Sequence, residues 1–220
     1  MKIIYFAQTA LALLLILPSA SYQQQPPQEK GDFRQPELVE LIKLDPTLRL
    51  DIRYASTNNF LGRPVYREAR AFLQRPAAEA LVRAHRALKE KGYGLLIFDG
   101  YRPWYITKIF WDVTPEDKKQ FVANPSQGSR HNRGCAVDLS MFDLKTGKEV
   151  TMPGEYDEMT ERSHINYQGG TLQSRQLRDI LRTAMEHEGF SVYEPEWWHY
   201  DYQDWQKYAI LNIDFHEIRN

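Results

Sequence analysis

Two short stretches of this chain hold the residue types that bind metals and move protons. The first is Ser129-Arg-His131-Asn-Arg-Gly134-Cys-Ala-Val-Asp138, and the second is Glu194-Pro-Glu196-Trp-Trp-His199-Tyr. In the first, an imidazole and a carboxylate converge if the chain turns at Gly134, a residue free to adopt left-handed backbone angles. Adding His199 gives a nitrogen, oxygen, nitrogen set. Three protein ligands with a fourth position left to water is the arrangement of a catalytic zinc site rather than a structural one. Glu196 is then placed to act as the base.

Strand periodicity sharpens this reading. Over Cys135 to Phe142 it puts Ala136, Asp138 and Ser140 on one face and Cys135, Val137, Leu139 and Met141 on the other. Asp138 thus faces a polar site. Cys135 faces the core, as a packed small hydrophobe rather than a ligand or nucleophile. Glu196 and His199 pose a geometric problem, because residues three apart in a straight strand point to opposite faces. A bulge or turn at the Trp pair is therefore expected. His85 lies on an apolar helix face and reads as a satisfied core residue, and His164, His187 and His216 read as surface or core residues too, although His164, after Ser163 and an acidic stretch, could support the site from behind.

The elements that must position these groups follow from the hydrophobic pattern. Ala78, Leu81, Val82, His85 and Leu88 share one helical face, and Leu177, Ile180, Leu181, Ala184 and Met185 share another on a helix over about 173–188. Strands are expected at 94–99, 135–142, 191–194, 197–202 and 209–215. Helices come in the middle and strands gather late. That order predicts an α+β single domain with a small antiparallel sheet carrying the zinc site, flanked by helices.

Before the domain, residues 1–21 show Lys2, an apolar run through Leu17, and Pro18-Ser-Ala-Ser, the layout of a secretory signal peptide cut near Ser21 or Tyr22. The expected location is periplasmic or secreted, with no stable membrane span after cleavage. Residues 22–36 are polar and rich in Pro and Gln, which predicts a flexible tether, and the domain proper is expected over 37–220. With a single Cys, no intrachain disulfide can form, so packing or a metal must stabilise the fold. A net charge of -1 with both signs dispersed excludes the basic footprint of a nucleic-acid binder.

With these residues in hand, the sequence resembles the zinc D-alanyl-D-alanine dipeptidases of the vancomycin-resistance type, within the wider zinc D,D-peptidases. The likeness runs in order through Asp51-Ile-Arg-Tyr-Ala-Ser-Thr-Asn-Asn-Phe, Phe98-Asp-Gly-Tyr-Arg-Pro, Ser129-x-His-x-x-Gly-x-Ala-x-Asp, Tyr156-Asp-Glu-Met-x-Glu-Arg-Ser-His and Glu196-Trp-Trp-His. The resemblance implies one zinc ion on His131, Asp138 and His199, with Glu196 as catalytic base and Arg102 stabilising the transition state. It also implies that Asp157 and Tyr54 receive the free amino end of a D,D-dipeptide, with Ser129 near its carboxylate. The implied activity is hydrolysis of D-Ala-D-Ala to two D-alanines. Export fits wall-peptide turnover or salvage better than resistance, which acts on a cytoplasmic precursor. The segment between Arg102 and Ser129 is shorter than in resistance-type members, implying a more open cleft. A D,D-carboxypeptidase acting on longer peptidoglycan peptides therefore stays open as an alternative. So does a non-catalytic binding module on the same zinc fold, against which Glu196 weighs.

Overall fold

The computed structural model describes residues 25–219. The expected signal peptide, residues 1–21, lies outside the described residues, as do the first residues of the expected tether. From residue 25 to the first strand the chain has no helix or strand, yet it is fastened to the domain. Glu29 pairs with Arg133 and accepts the Ile210 N–H at 2.7 Å, and Arg34 pairs with Asp204 at 2.9 Å. A polar composition predicts that a segment cannot bury itself, but here the domain supplies partners for its charges.

The domain begins with β1 (Leu38–Glu40), α1 (Leu41–Leu44) and β2 (Arg49–Leu50). Next come β3 (Phe72–Gln74), α2 (Arg75–Glu90), β4 (Tyr93–Asp99) and α3 (Trp104–Val113). The last elements are β5 (Ala136–Asp143), α4 (Leu172–His187), β6 (Phe190–Tyr193) and β7 (Glu196–Tyr202). β1 and β3 form a two-stranded antiparallel sheet, and the other strands form a sheet of order β2-β4-β5-β7-β6. Its pairs are antiparallel except β2 with β4, which makes the larger sheet mixed. Two of the metal-ligating candidates, Asp138 and His199, sit on this larger sheet, and His131 lies in the turn that leads into β5.

Helix α2 forms where Pro76 presets the first turn and a run of Ala77, Ala78, Leu81, Val82 and Leu88 buries one face. His85 is buried on that face. Its Nδ1 accepts the Leu95 N–H at 3.0 Å, so its proton sits on Nε2, which lies 2.9 Å from Thr47 Oγ1. Both ring nitrogens are used, as a core histidine requires. Helix α4 starts where the Thr171 side chain accepts the Ser174 N–H. It packs on α2 and on β6. Cys135, Val137, Leu139 and Met141 all belong to the hydrophobic core, as their alternation predicts.

The sequence reading expected none of β1, α1, β2 or β3, and two further places differ from expectation. Helix α3 has no counterpart in the sequence reading, because Trp-Tyr-Ile-Thr-Lys-Ile-Phe-Trp is as rich in aromatic and β-branched residues as a strand. Residues 209–215 form no strand. Their backbone bonds go to loops instead, with Leu211 N–H donating to Asn132 O at 2.9 Å and Ile213 N–H to the Tyr101 hydroxyl at 2.8 Å. The segment ends in a 3-10 turn at Phe215–Glu217.

Candidate active site

Strands β5 and β7 bring two of the ligand candidates together. Asp138 stands directly across from His199 in the antiparallel register, so both side chains project from one face. His131 arrives from a 3-10 turn, His131–Arg133, that closes at Gly134 with φ 67°. That backbone angle requires glycine, and a Cβ there would also sit 2.6 Å from Leu38 Cδ2, which would have to move. The turn brings His131 Nε2 to 3.1 Å from His199 Nδ1 and 3.3 Å from Asp138 Oδ1, and the last two atoms are 3.0 Å apart. A tetrahedral zinc site with ligand bonds of about 2.0–2.2 Å has ligand-to-ligand edges of roughly 3.3–3.6 Å. The observed triangle is close to one face of such a tetrahedron.

Hydrogen bonding turns the right nitrogens inward. His131 Nδ1 lies 2.7 Å from the Gly100 carbonyl, an acceptor only, so Nδ1 carries the proton and Nε2 offers a lone pair. His199 Nε2 lies 2.9 Å from Asp201 Oδ1, which assigns the proton to Nε2 and the lone pair to Nδ1. The second oxygen of Asp138 accepts the Tyr156 hydroxyl at 3.0 Å, leaving Oδ1 for the shared point. Two lone pairs and a carboxylate oxygen converging in a buried place need positive charge between them. Burial disfavours charge on His199, yet Asp201 and Asp138 outweigh it and raise its pKa well above the ordinary 6.5. Surroundings that favour a proton to that degree also suit a divalent cation. His131, Asp138 and His199 could therefore hold a metal ion.

The expected irregularity lies at the Trp pair. Val192 faces Tyr200 across the β6–β7 ladder, but the next residue, Tyr193, faces Glu196. Trp197, Trp198 and His199 thus have no counterparts on β6, and the bulged strand turns Glu196 toward the site. Its Oε2 lies 3.7 Å from His199 Nδ1. Burial pushes the Glu196 carboxyl up to about 7, with Asp138 and Asp201 adding to the rise while His199 and Arg102 oppose it. A carboxyl at that value both accepts and returns a proton near neutral pH.

The connection from β4 to α3 serves two purposes. Asp99, at the end of β4, accepts Arg102 Nε at 2.9 Å on Oδ2, and on Oδ1 takes the Tyr66 hydroxyl at 2.8 Å and the Gly100 N–H at 2.9 Å. This fixes the Arg102 guanidinium, which lies 3.6 Å from Asp138 Oδ2 and 4.7 Å from the Phe110 ring centre. Burial alone would lower the Arg102 pKa, but Asp99 overrides it and the group stays cationic. The same connection presents the Gly100 carbonyl to His131. Asn132 ties both parts together, donating to the Arg102 carbonyl at 2.9 Å and to Thr107 Oγ1 at 2.8 Å.

Asp157 and Tyr54 meet on the other side of the cleft. The Tyr54 hydroxyl lies 3.0 and 3.1 Å from the two Asp157 carboxylate oxygens. Asp157 has φ 59°, the only non-glycine residue among those described with positive φ. Such strain is held in place only where the surroundings over-determine it. Burial raises the Asp157 carboxyl well above its usual range, and Asp138 and Glu196 raise it further. Ser129 Oγ accepts the His131 N–H at 3.2 Å, so its own proton remains free to donate. All eight predicted site residues (Tyr54, Arg102, Ser129, His131, Asp138, Asp157, Glu196 and His199) line one cavity of about 490 Å³. Cys135 does not, and burial pushes its thiol up to about 12.

Sequence reasoning assigned no role to Asp99, Tyr156 or Asp201. Asp201 was the most accessible, since it lies two residues beyond His199 and so on the same strand face. Asp99 and Tyr156 lay inside recognised blocks, but nothing in their spacing told which residue each would hold.

Known proteins can now be set beside this geometry. The peptidase M15 family model, described as D-Ala-D-Ala dipeptidase, matches residues 34–218. The chain belongs to this dipeptidase family. A D-alanyl-D-alanine dipeptidase of Escherichia coli is 32% identical over 179 residues, covering 81% of this chain and 91% of that protein. One from Enterococcus faecium is 38% identical over 186 residues, covering 76% of this chain and 92% of its own length. A third, from Streptomyces coelicolor, is 34% identical over 171 residues, 70% of this chain and 85% of the relative. The matched span of the dipeptidase family holds every residue of the site described above.

Proposed function

We propose that this M15 dipeptidase hydrolyses D-Ala-D-Ala to two D-alanines, with one zinc ion held by His131 Nε2, Asp138 Oδ1 and His199 Nδ1. The single observation that supports it most is the convergence of those three donor atoms, with the Glu196 carboxyl beside them at 3.7 Å from His199 Nδ1. Zinc bound there would bring the pKa of a coordinated water toward 7 and polarise the scissile carbonyl.

The chain's own residues do the rest. Glu196 accepts a proton from the attacking water and delivers it to the leaving amine as the C–N bond breaks, so one carboxyl serves both halves of the hydrolysis. Arg102, immobilised by Asp99, offers a permanent positive charge to the carbonyl oxygen as it becomes an oxyanion. Asp157 receives the free ammonium end of the dipeptide, with the Tyr54 hydroxyl fixing its carboxylate. Ser129 donates its free hydroxyl proton to the substrate carboxylate. The Asp157–Tyr54 pair favours a free amine, because only a substrate ammonium brings the positive charge that offsets the desolvation of Asp157 and holds it ionised, and an acylated amine brings none.

The signal-peptide pattern of residues 1–21 supports a location outside the cytoplasm, where wall-derived peptides are turned over. Among the described residues no helix is long and apolar enough to cross a membrane. The deciding assay compares D-Ala-D-Ala, N-acetyl-D-Ala-D-Ala and a longer D,D-peptide. Cleavage of the free dipeptide alone supports the proposal. Equal or faster cleavage of the longer peptide replaces it with the carboxypeptidase reading, and no cleavage of any of the three by the zinc-loaded protein replaces it with the binding module.

A further inference from the structure

We infer that Asp201 and Arg130 act together as positioning residues for the metal ligand His199, with Asp201 orienting the imidazole and Arg130 moderating it. This rests on the metal site proposed above. Asp201 is almost fully buried and uses its two oxygens in different directions, Oδ1 lying 2.9 Å from His199 Nε2 and Oδ2 lying 3.0 Å from Arg130 Nη1. Across the ladder it faces Ala136, whose side chain is only a methyl group, so that face of the sheet leaves it room.

Arg130 connects this arrangement to the other half of the site. It immediately precedes His131, and its guanidinium lies 4.7 Å from the Trp205 ring centre at the rim of the cavity. One residue thus adjoins the first imidazole through the backbone and reaches the second through Asp201.

The two residues act with opposite sign. A carboxylate accepting the outer N–H of a ligand imidazole fixes its tautomer and makes the inner nitrogen a better donor, and losing such a partner typically weakens metal binding about 10- to 100-fold. A cation on the far oxygen of that carboxylate draws charge away from the imidazole. Arg130 therefore limits how much of the Asp201 charge reaches His199. A purely structural ion pair would behave otherwise, because deleting either member would loosen the site alike.

The test is zinc affinity, measured by competition with a chromophoric chelator on the full-length protein and two variants. Asp201→Asn keeps an acceptor but removes the charge, and is expected to raise the zinc Kd at least tenfold. Arg130→Met is expected to lower the Kd. A smaller loss in Asp201→Asn, or a zinc Kd left unchanged or raised by Arg130→Met, overturns the inference. Should Asp201→Asn fail to fold, imidazole nitrogen-15 spectra of the zinc-loaded parent decide. Zinc on His199 Nδ1 with a proton on Nε2 supports the inference, and zinc on Nε2 overturns it. A parent that binds no zinc overturns the metal site itself, a result distinct from any of these.

Discussion

Asp138 and His199 stand directly opposite each other on neighbouring antiparallel strands, with Oδ1 and Nδ1 3.0 Å apart. Cross-strand neighbours have closely spaced Cβ atoms on a rigid support, so two of the three ligands are preset by sheet register rather than by flexible loops. A slip of one residue between β5 and β7 would turn one of them to the core face and dismantle the site. The third ligand, His131, depends on the turn that ends at Gly134.

That dependence gives a stability prediction. Gly134→Ala forces a side chain into φ 67° and against Leu38, 2.6 Å away. The expected cost is at least about 1 kcal/mol, together with weaker zinc binding as His131 shifts. Urea unfolding midpoints and chelator competition check both, and a variant as stable as the parent contradicts the account of the turn.

Glu196 sets the acid side of the pH profile. Only its carboxylate accepts a proton, so activity rises as pH climbs through its pKa and falls below it. Burial lifts that value from 4.5 to about 7, and the positive charge of a bound metal lowers it again. The acid limb of kcat/KM is expected to have its midpoint between those two values. Glu196→Gln should lose about 10²- to 10⁴-fold in kcat while still binding zinc. An unchanged acid limb in the residual activity of that variant assigns the base elsewhere.

The Asp99–Arg102 pair predicts a split between activity and stability. Arg102→Lys keeps a positive charge near Asp99 but loses the planar fork, so kcat is expected to fall about 10²- to 10³-fold with little loss of stability. Arg102→Ala leaves Asp99 buried without its partner and is expected to cost about 3–5 kcal/mol as well. Steady-state kinetics beside thermal melts measure both. Equal melting of the two variants contradicts the pairing.

Asp157 is expected to set the preference for a free amine. Truncating one partner of a desolvated charge pair typically costs about 2–5 kcal/mol, much of it from the charge left unpaired. Asp157→Ala should therefore reduce the ratio of kcat/KM for D-Ala-D-Ala over N-acetyl-D-Ala-D-Ala by about 30- to 5,000-fold. A ratio unaffected by the substitution removes Asp157 from substrate recognition.

The chemistry of the site was more legible in the sequence than the architecture that supports it. The alternation around Asp138 separated site from core, and the spacing of Glu196 and His199 demanded a bulge that the β6–β7 register displays. Both readings rest on strand geometry, which is local. Helix α3 escaped because burial of Trp104, Ile106, Thr107 and Phe110 decides its conformation, and burial is a property of the whole fold. Residues 209–215 misled for the opposite reason, since an apolar run looks like a strand until its hydrogen bonds are found on Asn132 and Tyr101. Asp99, Tyr156 and Asp201 were hidden because each acts through a residue far away in sequence or through a side chain whose own role must be known first.

The central claim is that one zinc ion on His131, Asp138 and His199 makes this chain a D-Ala-D-Ala dipeptidase. Its most direct measurement is release of D-alanine by chelator-treated protein during titration with zinc, in the parent and in His199→Ala. The account predicts no hydrolysis after chelation, recovery complete at one equivalent of zinc per chain, and no recovery at that equivalence in His199→Ala. Hydrolysis that survives chelation, or returns equally in His199→Ala, contradicts it.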